Sequence, residues 1–590
     1  MKEFFKMTGA TVVGIILFMS LMAIISIMSI VGMVASTEST KKVSDNSVLV
    51  INLSGSMTER SDNNIIDHIQ GNSNFTIGLD NMLNAISKAK DNDKIKGIYI
   101  ESGMFSADSY ASMQAVRKAL VDFKKSGKWI VAYGDSYTQA TYYIASVADK
   151  IYINPSGMID WHGLSAQPYY LKNLMEKFGV KMQLAKVGTY KSAPETFTAD
   201  KMSEPNREQM TQILNGAWEQ IVSDVAQSRK ISISDLNKYA DDMCAFMPAE
   251  EYLKMKLADG LRYADGMKAE VKKLMELDED ENIRQLTVDD MQNVKGKRKK
   301  GEEIAVYYAY GDIVDGGTQG MLSQSHVIDA QVVCKDLERL MEDDEVKAVV
   351  IRINSGGGSA YASEQIWHYI ELLKAKKPVV VSMGGLAASG GYYMSCNSNW
   401  IVAEPTTITG SIGIFGMFPD VSGLLKDKLG VTFDEIKTNK NSGFGTMARP
   451  FNDEEMKYLE AYIQRGYELF RKRVADGRKM SIDEVEKIAQ GHVWLGKDAL
   501  KIKLVDQLGG LNEAVEKAAQ LAKLKEYKTN SYPAPLSLFD QLSTTISTNS
   551  YLDEQLSETF GELYQPLMLL RNIKHHNAIQ ARIPYYINIQ

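Results

Sequence analysis

The chain has 590 residues, too many for one compact core, so roughly two to four domains are expected. Its apolar (44%) and charged (24%) fractions are those of a globular protein and exclude a largely disordered chain. The net charge is −7 and no long basic stripe appears, which argues against nucleic acid as a partner.

At the N-terminus, "GATVVGIILFMSLMAIISIMSIVGMVA" (9–35) runs 27 residues without a charge. As a helix it would extend about 40 Å, enough to span a bilayer with tilt. The apolar part of a secretory signal peptide is only about 7–15 residues long. The stretch is therefore read as an uncleaved transmembrane anchor, with "MVA" before Ser36 leaving cleavage as the alternative. Lys2 and Lys6 precede it and place the short N-terminal tail inside. The rest of the chain is then expected on the outer face of a bacterial-type membrane.

Beyond the anchor the chain repeats itself. "VAYGDSYTQATYYIASVADKIYINPSGMIDWHGL" (131–164) aligns without a gap on "VSMGGLAASGGYYMSCNSNWIVAEPTTITGSIGI" (381–414), at an offset of 250 and with seven identities. The match continues on both sides. "VLVINLSGSM" (48–57) faces "IAVYYAYGDI" (304–313), and "DKIKGIYIES" (93–102) faces "DEVKAVVIRI" (344–353). "VAQSRKISI" (225–233) faces "VADGRKMSI" (474–482), and "YLKMKLADGL" (252–261) faces "ALKIKLVDQL" (499–508). Offsets stay between 247 and 256.

Each copy alternates short β-branched runs such as "KAVVIRI" and "PVVVSM" with helical stretches such as "ASEQIWHYIELLKAKK". That rhythm predicts parallel βαβ crossovers. The expected organisation is a tail and anchor (1–45), a first α/β unit (46–275), a charged linker (276–303), a second α/β unit (304–527) and a C-terminal extension (528–590). "KGKRKK" (295–300) falls in the linker as a solvated basic cluster. The extension, apolar but broken by prolines, would cover a core face, line a channel or touch lipid.

Where the copies diverge, chemistry is expected. "SMGGLAASGGYYMS" (382–395) surrounds Ser389 with almost no side chain, while the first copy has Gln139 in its place. "INSGGGSA" (353–360) also follows a strand, and its Gly356, Gly357 and Gly358 can offer unobstructed N–H groups to an oxyanion. No GK[ST] or GxGxxG supports a phosphate site. Three scattered cysteines and seven histidines give neither a disulfide framework nor a metal pattern, so no metal or cofactor is expected. His368 sits on a helix without a defined partner. Lys191, in "AKVGTYKSAPETF", falls opposite Ser442, so one copy keeps a lysine and the other the serine Ser389. Lys437 and Lys440 remain alternative bases within the second copy.

The motifs "AASGGYYMS", "TGSIGIFG", "GTYKSAPETF", "VWLGKDALKIKLVDQLGG" and "QARIPYY" together resemble the long, duplicated, membrane-anchored form of the signal peptide peptidase A family (protease IV). The resemblance covers nearly the whole chain. It implies a tandem Clp protease/crotonase-like α/β fold and a Ser-Lys dyad, with Ser389 as nucleophile and Lys191 as general base. It further implies Ser411 as partner of the lysine, and Gly357, Gly358 and Gly390 as the oxyanion hole. Gly356 departs from the family's usual proline. Family members degrade cleaved signal peptides and similar apolar peptides at the inner membrane, with the catalytic part on the periplasmic side, and assemble as homo-oligomers, commonly tetramers. Two rival readings are a crotonase-like acyl-CoA enzyme and a catalytically dead membrane scaffold. Free lysine titrates near 10.4, so the mechanism requires a desolvated Lys191.

Overall fold

A computed structural model describes residues 41–61, 76–296, 300–316, 326–534 and 579–582, with scattered residues between 6 and 25. Those scattered residues are helical, but much of the apolar stretch 9–35 lies outside the described residues. Among the described residues no helix is long and apolar enough to cross a membrane.

Three sheets form among the described residues. In the first, β1 (Ser47–Thr58), β3 (Ile95–Ala107), β4 (Trp129–Gly134), β5 (Lys150–Ile153) and β7 (Gly260–Leu261) are parallel neighbours in that order. β2 (Thr76–Gly78) and β8 (Arg284–Leu286) pair with the free edge of β1. The second sheet repeats the order with β9 (Glu302–Tyr310), β12 (Val346–Ser355), β14 (Val379–Ala388), β15 (Trp400–Ala403) and β19 (Gln507–Leu508). Here β16 (Ile408–Gly410) and β18 (Val493–Leu495) continue from the second half of β14, and β20 (Tyr527–Tyr532) adds to β9. The expected duplication is thus present strand for strand. Runs such as "VKAVVIRI" are buried along nearly their whole length, as parallel strands covered on both faces must be.

The third sheet belongs to neither copy alone. Its order is β11 (Val327–Asp329), β10 (Asp312–Val314), β13 (Gly357–Ser359), β21 (Ile579–Arg582), β17 (Ile414–Asp420) and β6 (Lys181–Val187). β6 comes from the first copy yet pairs antiparallel with β17 of the second, from Lys181 opposite Asp420 to Val187 opposite Ile414. β21 comes from the far end of the chain.

Two boundaries differ from the sequence reading. The charged stretch 276–303 contains β8 and a short helix, Val288–Gln292, and its Leu286, Met291 and Val294 are buried in the first core. Charge density marked it as a linker, but these apolar residues fold most of it onto the first unit. Residues 528–532 lie in β20, so the second unit runs on through Tyr532.

A buried ion pair ties the two copies together. Glu59, just past β1, accepts from Arg352 Nε on β12 at 2.6 Å, and both side chains are 3% exposed. The guanidinium also donates to Ser382 Oγ (3.1 Å) and the Met383 carbonyl (2.9 Å). Asn354, two residues on, donates to Asp108 of the first copy at 2.6 Å. With its donors satisfied, the pair is stable while intact and costly to halve. Glu59→Ala should cost roughly 3–5 kcal/mol by stranding the guanidinium. Thermal unfolding should show a clear fall in Tm for Glu59→Ala and a substantial recovery in Glu59→Leu/Arg352→Met.

Candidate active site

Ser389 occupies the turn between β14 and the helix Gly390–Ser395. Its backbone sits at φ 55°, ψ −112°, a conformation that costs about 1–3 kcal/mol in a non-glycine residue. The turn is held by its own N–H, which donates to the Gly410 carbonyl at 2.7 Å. Ser389 stands at the helix N-cap, but its hydroxyl caps nothing. A serine on a strained strand-to-helix turn, with its oxygen left uncommitted by the backbone, is the geometry of a nucleophile elbow. The neighbouring glycines also have a steric reason. A Cβ on Gly390 would meet Ser363 Oγ at 2.6 Å, and one on Gly391 the Ser355 carbonyl at 2.8 Å.

Lys191 arrives from the other copy. β6 delivers the loop 188–192 across the second unit, where Tyr190 N–H donates to the Gln490 carbonyl at 2.9 Å. The lysine packs closely on Gly413 and Gly491. A Cβ on Gly491 (φ +81°) would lie 2.7 Å from Lys191 Cα. Lys191 Nζ ends 2.6 Å from Ser389 Oγ, 3.0 Å from Ser411 Oγ and 3.2 Å from the Ser411 carbonyl. Both Lys191 and Ser389 are fully buried. Burial alone holds the amine well below the ordinary lysine range. Ser411 is itself fixed, with φ 51° and its N–H donating to the His492 carbonyl at 2.7 Å.

The glycines split. A Cβ on Gly357 would stand 2.9 Å from the Gly390 nitrogen, so these two converge beside Ser389. Gly358 turns toward β10, where a Cβ would strike the Ile313 carbonyl at 2.1 Å. The N–H of Gly357 also donates to Ser355 Oγ at 3.1 Å.

The alternative bases lie elsewhere. Lys437 and Lys440 are exposed and pair with Glu435 (2.8 Å) and Glu454 (2.5 Å). Ser442 is exposed on the same loop, and His368 is exposed on the helix Ala360–Lys376. In the first copy, Gln139 fills the position of Ser389. Its Oε1 accepts from the N–H groups of His162 (3.2 Å) and Gly163 (3.0 Å), and its Nε2 donates to the Gly163 carbonyl (3.1 Å). The amide plugs the first copy's own site.

Two supporting residues escaped the sequence reading. Gln209 is fully buried on the helix Glu204–Arg229 and donates to the Tyr190 carbonyl (3.1 Å) and Ser192 Oγ (2.9 Å), on either side of Lys191. Its Oε1 accepts from the Val493 N–H of the second copy at 3.3 Å. Glu195 accepts from Ser203 Oγ (2.6 Å) and Asn206 (2.9 Å) and so pins the end of the same loop to the same helix. Glu195 lies inside the "GTYKSAPETF" motif, which is where a signal was available.

Comparison with known proteins agrees with this duplication. The profile of peptidase family S49 matches residues 122–278 and again 371–525, and that of Clp protease matches 302–400. "Protease 4" of Salmonella typhi is 38% identical over 505 residues, covering 83% of this chain and 79% of its own length. "Serine protease SPPA, chloroplastic" of Arabidopsis thaliana is 30% identical over 490 residues, covering 82% and 70%. "Putative signal peptide peptidase SppA" of Enterococcus faecium is 32% identical over 254 residues, covering 42% of this chain and 70% of its own. The acyl-CoA and inactive-scaffold readings give way to a serine peptidase. Matched once in each half and along most of its length, the chain belongs to peptidase family S49.

Proposed function

We propose that the chain is a membrane-anchored serine endopeptidase that degrades cleaved signal peptides and similar apolar peptides through a Ser389–Lys191 dyad. The observation that carries the dyad is the 2.6 Å approach of a fully buried amine to the hydroxyl of a strained turn. Support for the substrate comes from the Enterococcus faecium relative, a putative signal peptide peptidase by name. The anchor rests on the 27 uncharged residues at 9–35, and Lys2 and Lys6 ahead of them support a catalytic part outside the bacterial cytoplasmic membrane. Assembly as a homo-oligomer, a tetramer, belongs to the same reading by family resemblance.

The chemistry follows from hydrogen-bond inventory. A neutral amine has two N–H donors and one lone pair. Ser411 supplies two acceptors, its Oγ and its carbonyl, which turn the lone pair toward the Ser389 hydroxyl. Ser389 Oγ attacks a peptide carbonyl while Lys191 takes its proton. The N–H groups of Gly390 and Gly357, the pair that converges beside Ser389, hold the developing oxyanion. Lys191 then returns the proton to the leaving amine, and water resolves the acyl-enzyme.

Ser389→Ala and Lys191→Ala should each lower kcat/KM on an apolar peptide in detergent by on the order of 10²–10⁴ or more. Retained turnover in either variant defeats the dyad, and the same assay on Ser411→Ala should show a smaller, about tenfold, loss from one neutral hydrogen bond. The acid limb of the pH–rate profile should have its midpoint well below the ordinary lysine value of 10.5, because only the unprotonated amine is competent.

Stability carries the same sign. The folded amine releases its proton at a lower pH than the unfolded one, so unfolding takes up a proton between those two values. Stability therefore rises with pH across that window and is penalised below it. Lys191→Met removes the penalty, and calorimetry at pH 7 should find a Tm at or above that of the wild type alongside lost activity.

A further inference from the structure

A short stretch of the second copy, residues 490–493, holds the parts of the site that arrive from both copies. In "QGHVWLG" (490–496), the Gln490 carbonyl accepts from the Tyr190 N–H at 2.9 Å, and its Oε1 accepts from Thr189 Oγ1 at 2.9 Å. The Gly491 N–H donates to the Ile412 carbonyl at 2.8 Å, and the His492 carbonyl accepts from the Ser411 N–H at 2.7 Å. The Val493 N–H donates to Gln209. The residue before Lys191, the serine that orients its amine and the glutamine that clamps its loop all hang on this segment. Gln490 (φ 55°) and Gly491 (φ 81°) turn it through the left-handed region.

The bonds at 491–493 use main-chain atoms of the segment, which any residue at 492 could supply. What His492 adds is a ring. It stacks on Trp494, with centroids 4.0 Å and planes 24° apart, and meets Tyr190 at 4.4 Å and 58°. Trp494 Nε1 donates to the Ile488 carbonyl at 3.0 Å, which anchors the far end of the row. The imidazole is pinned as well. A carbonyl only accepts, so Nδ1 carries the proton that bonds the Val493 carbonyl at 2.8 Å. Burial lowers the pKa of the ring and keeps it neutral at pH 7, against the smaller opposing effects of that carbonyl and of Glu208. Glu208, on the helix Glu204–Arg229, is the carboxylate that faces the row, and it accepts from the Tyr190 hydroxyl at 3.1 Å. The other titratable neighbour is Lys191 itself, next to Tyr190 in the chain. Tyr190 and Trp494 are half-buried, whereas Lys191 is fully buried. The rings are thus the part of this packing that meets solvent, and the amine is the part that must not.

We propose that His492 is a positioning residue for the dyad: its ring couples Trp494 to Tyr190 and so holds the lysine loop against the second copy, with Lys191 dry and within reach of Ser389. The inference rests on the dyad reading above. Ring stacking, not the imidazole's proton, does this, so phenylalanine should serve at 492 and an aliphatic side chain should not. A loosened loop lets water reach the amine and restores its affinity for protons. The defect then appears in the chemical step and its pH dependence rather than in substrate binding.

The test is steady-state kinetics of the full chain in detergent on an apolar peptide, across a pH series. The variants are His492→Leu, His492→Phe, Tyr190→Leu and Tyr190→Phe, with melting temperatures to establish that each is folded. The two leucine variants should lower kcat by about 10–100-fold with KM unchanged, the upper end being the cost of a misplacement near 1 Å. In both, the acid limb should move up by about one pH unit toward the ordinary lysine value. The two phenylalanine variants should keep the wild-type acid limb and most of the wild-type kcat. If His492→Leu does not fold, the Tyr190 pair decides. Leucine variants with wild-type kcat and acid limb overturn the inference and leave the dyad standing. An equal loss of kcat in the leucine and phenylalanine variants, with the acid limb unmoved, marks a structural role only and also overturns it. Retained turnover in Lys191→Ala removes the dyad and this inference together.

Discussion

The arrangement depends on one contact, an amine and a hydroxyl 2.6 Å apart with water excluded from both. Neither group is unusual. What changes their behaviour is the surroundings. Among the described residues only two serines hydrogen-bond the amine and no carboxylate does, so nothing there offsets the lost hydration and the protonated form is disfavoured. A carboxylate in the place of Ser411 would reverse that balance and hold the lysine cationic. The nearest acceptors are instead a hydroxyl and a carbonyl, which orient the amine without charging it.

Much of the rest of the molecule serves to hold that contact. The lysine and the serine are 198 positions apart in the chain and lie in different copies of one fold. β6 carries the lysine loop onto the second copy, and Gln209 and Glu195 clamp the loop from the first. The missing side chains of Gly413 and Gly491 let the lysine pack closely against them. The Glu59–Arg352 pair fixes the two sheets against each other close to the glycine turn, since Arg352 lies on the strand that ends at Ser355. The third sheet, with strands from both copies and from the end of the chain, is where these constraints meet.

Much of this was legible in the sequence, and for identifiable reasons. The duplicated α/β order followed from β-branched runs recurring at a nearly constant offset, because a buried parallel strand has little freedom in composition. Ser389 and Lys191 stood out through what their partner copies lacked. Other features had no such signal. Leu286, Met291 and Val294 are too few to mark a packed segment within a charged run, although burying them is enough to hold it. β21 is four residues long, and its partners are set by a cleft assembled from distant strands rather than by its own pattern. Gln209 has no distinctive neighbours on its helix, and its importance comes from facing a loop 17 positions away at Ser192. Lys437 and Lys440 remained alternative bases within the second copy, and the exposure of their loop together with the approach of Lys191 to Ser389 separates them.

The Gln139 plug bears on how the two halves can diverge. With its own cradle sealed by an internal amide, the front half has no chemistry of its own to preserve, yet it must keep the shape that presents an amine to its neighbour. The front half is thus constrained by one amine and the scaffold that presents it, while the rear half supplies the hydroxyl. Two copies of one fold have become an asymmetric couple, with one buried amine–hydroxyl contact for every pair of folded units.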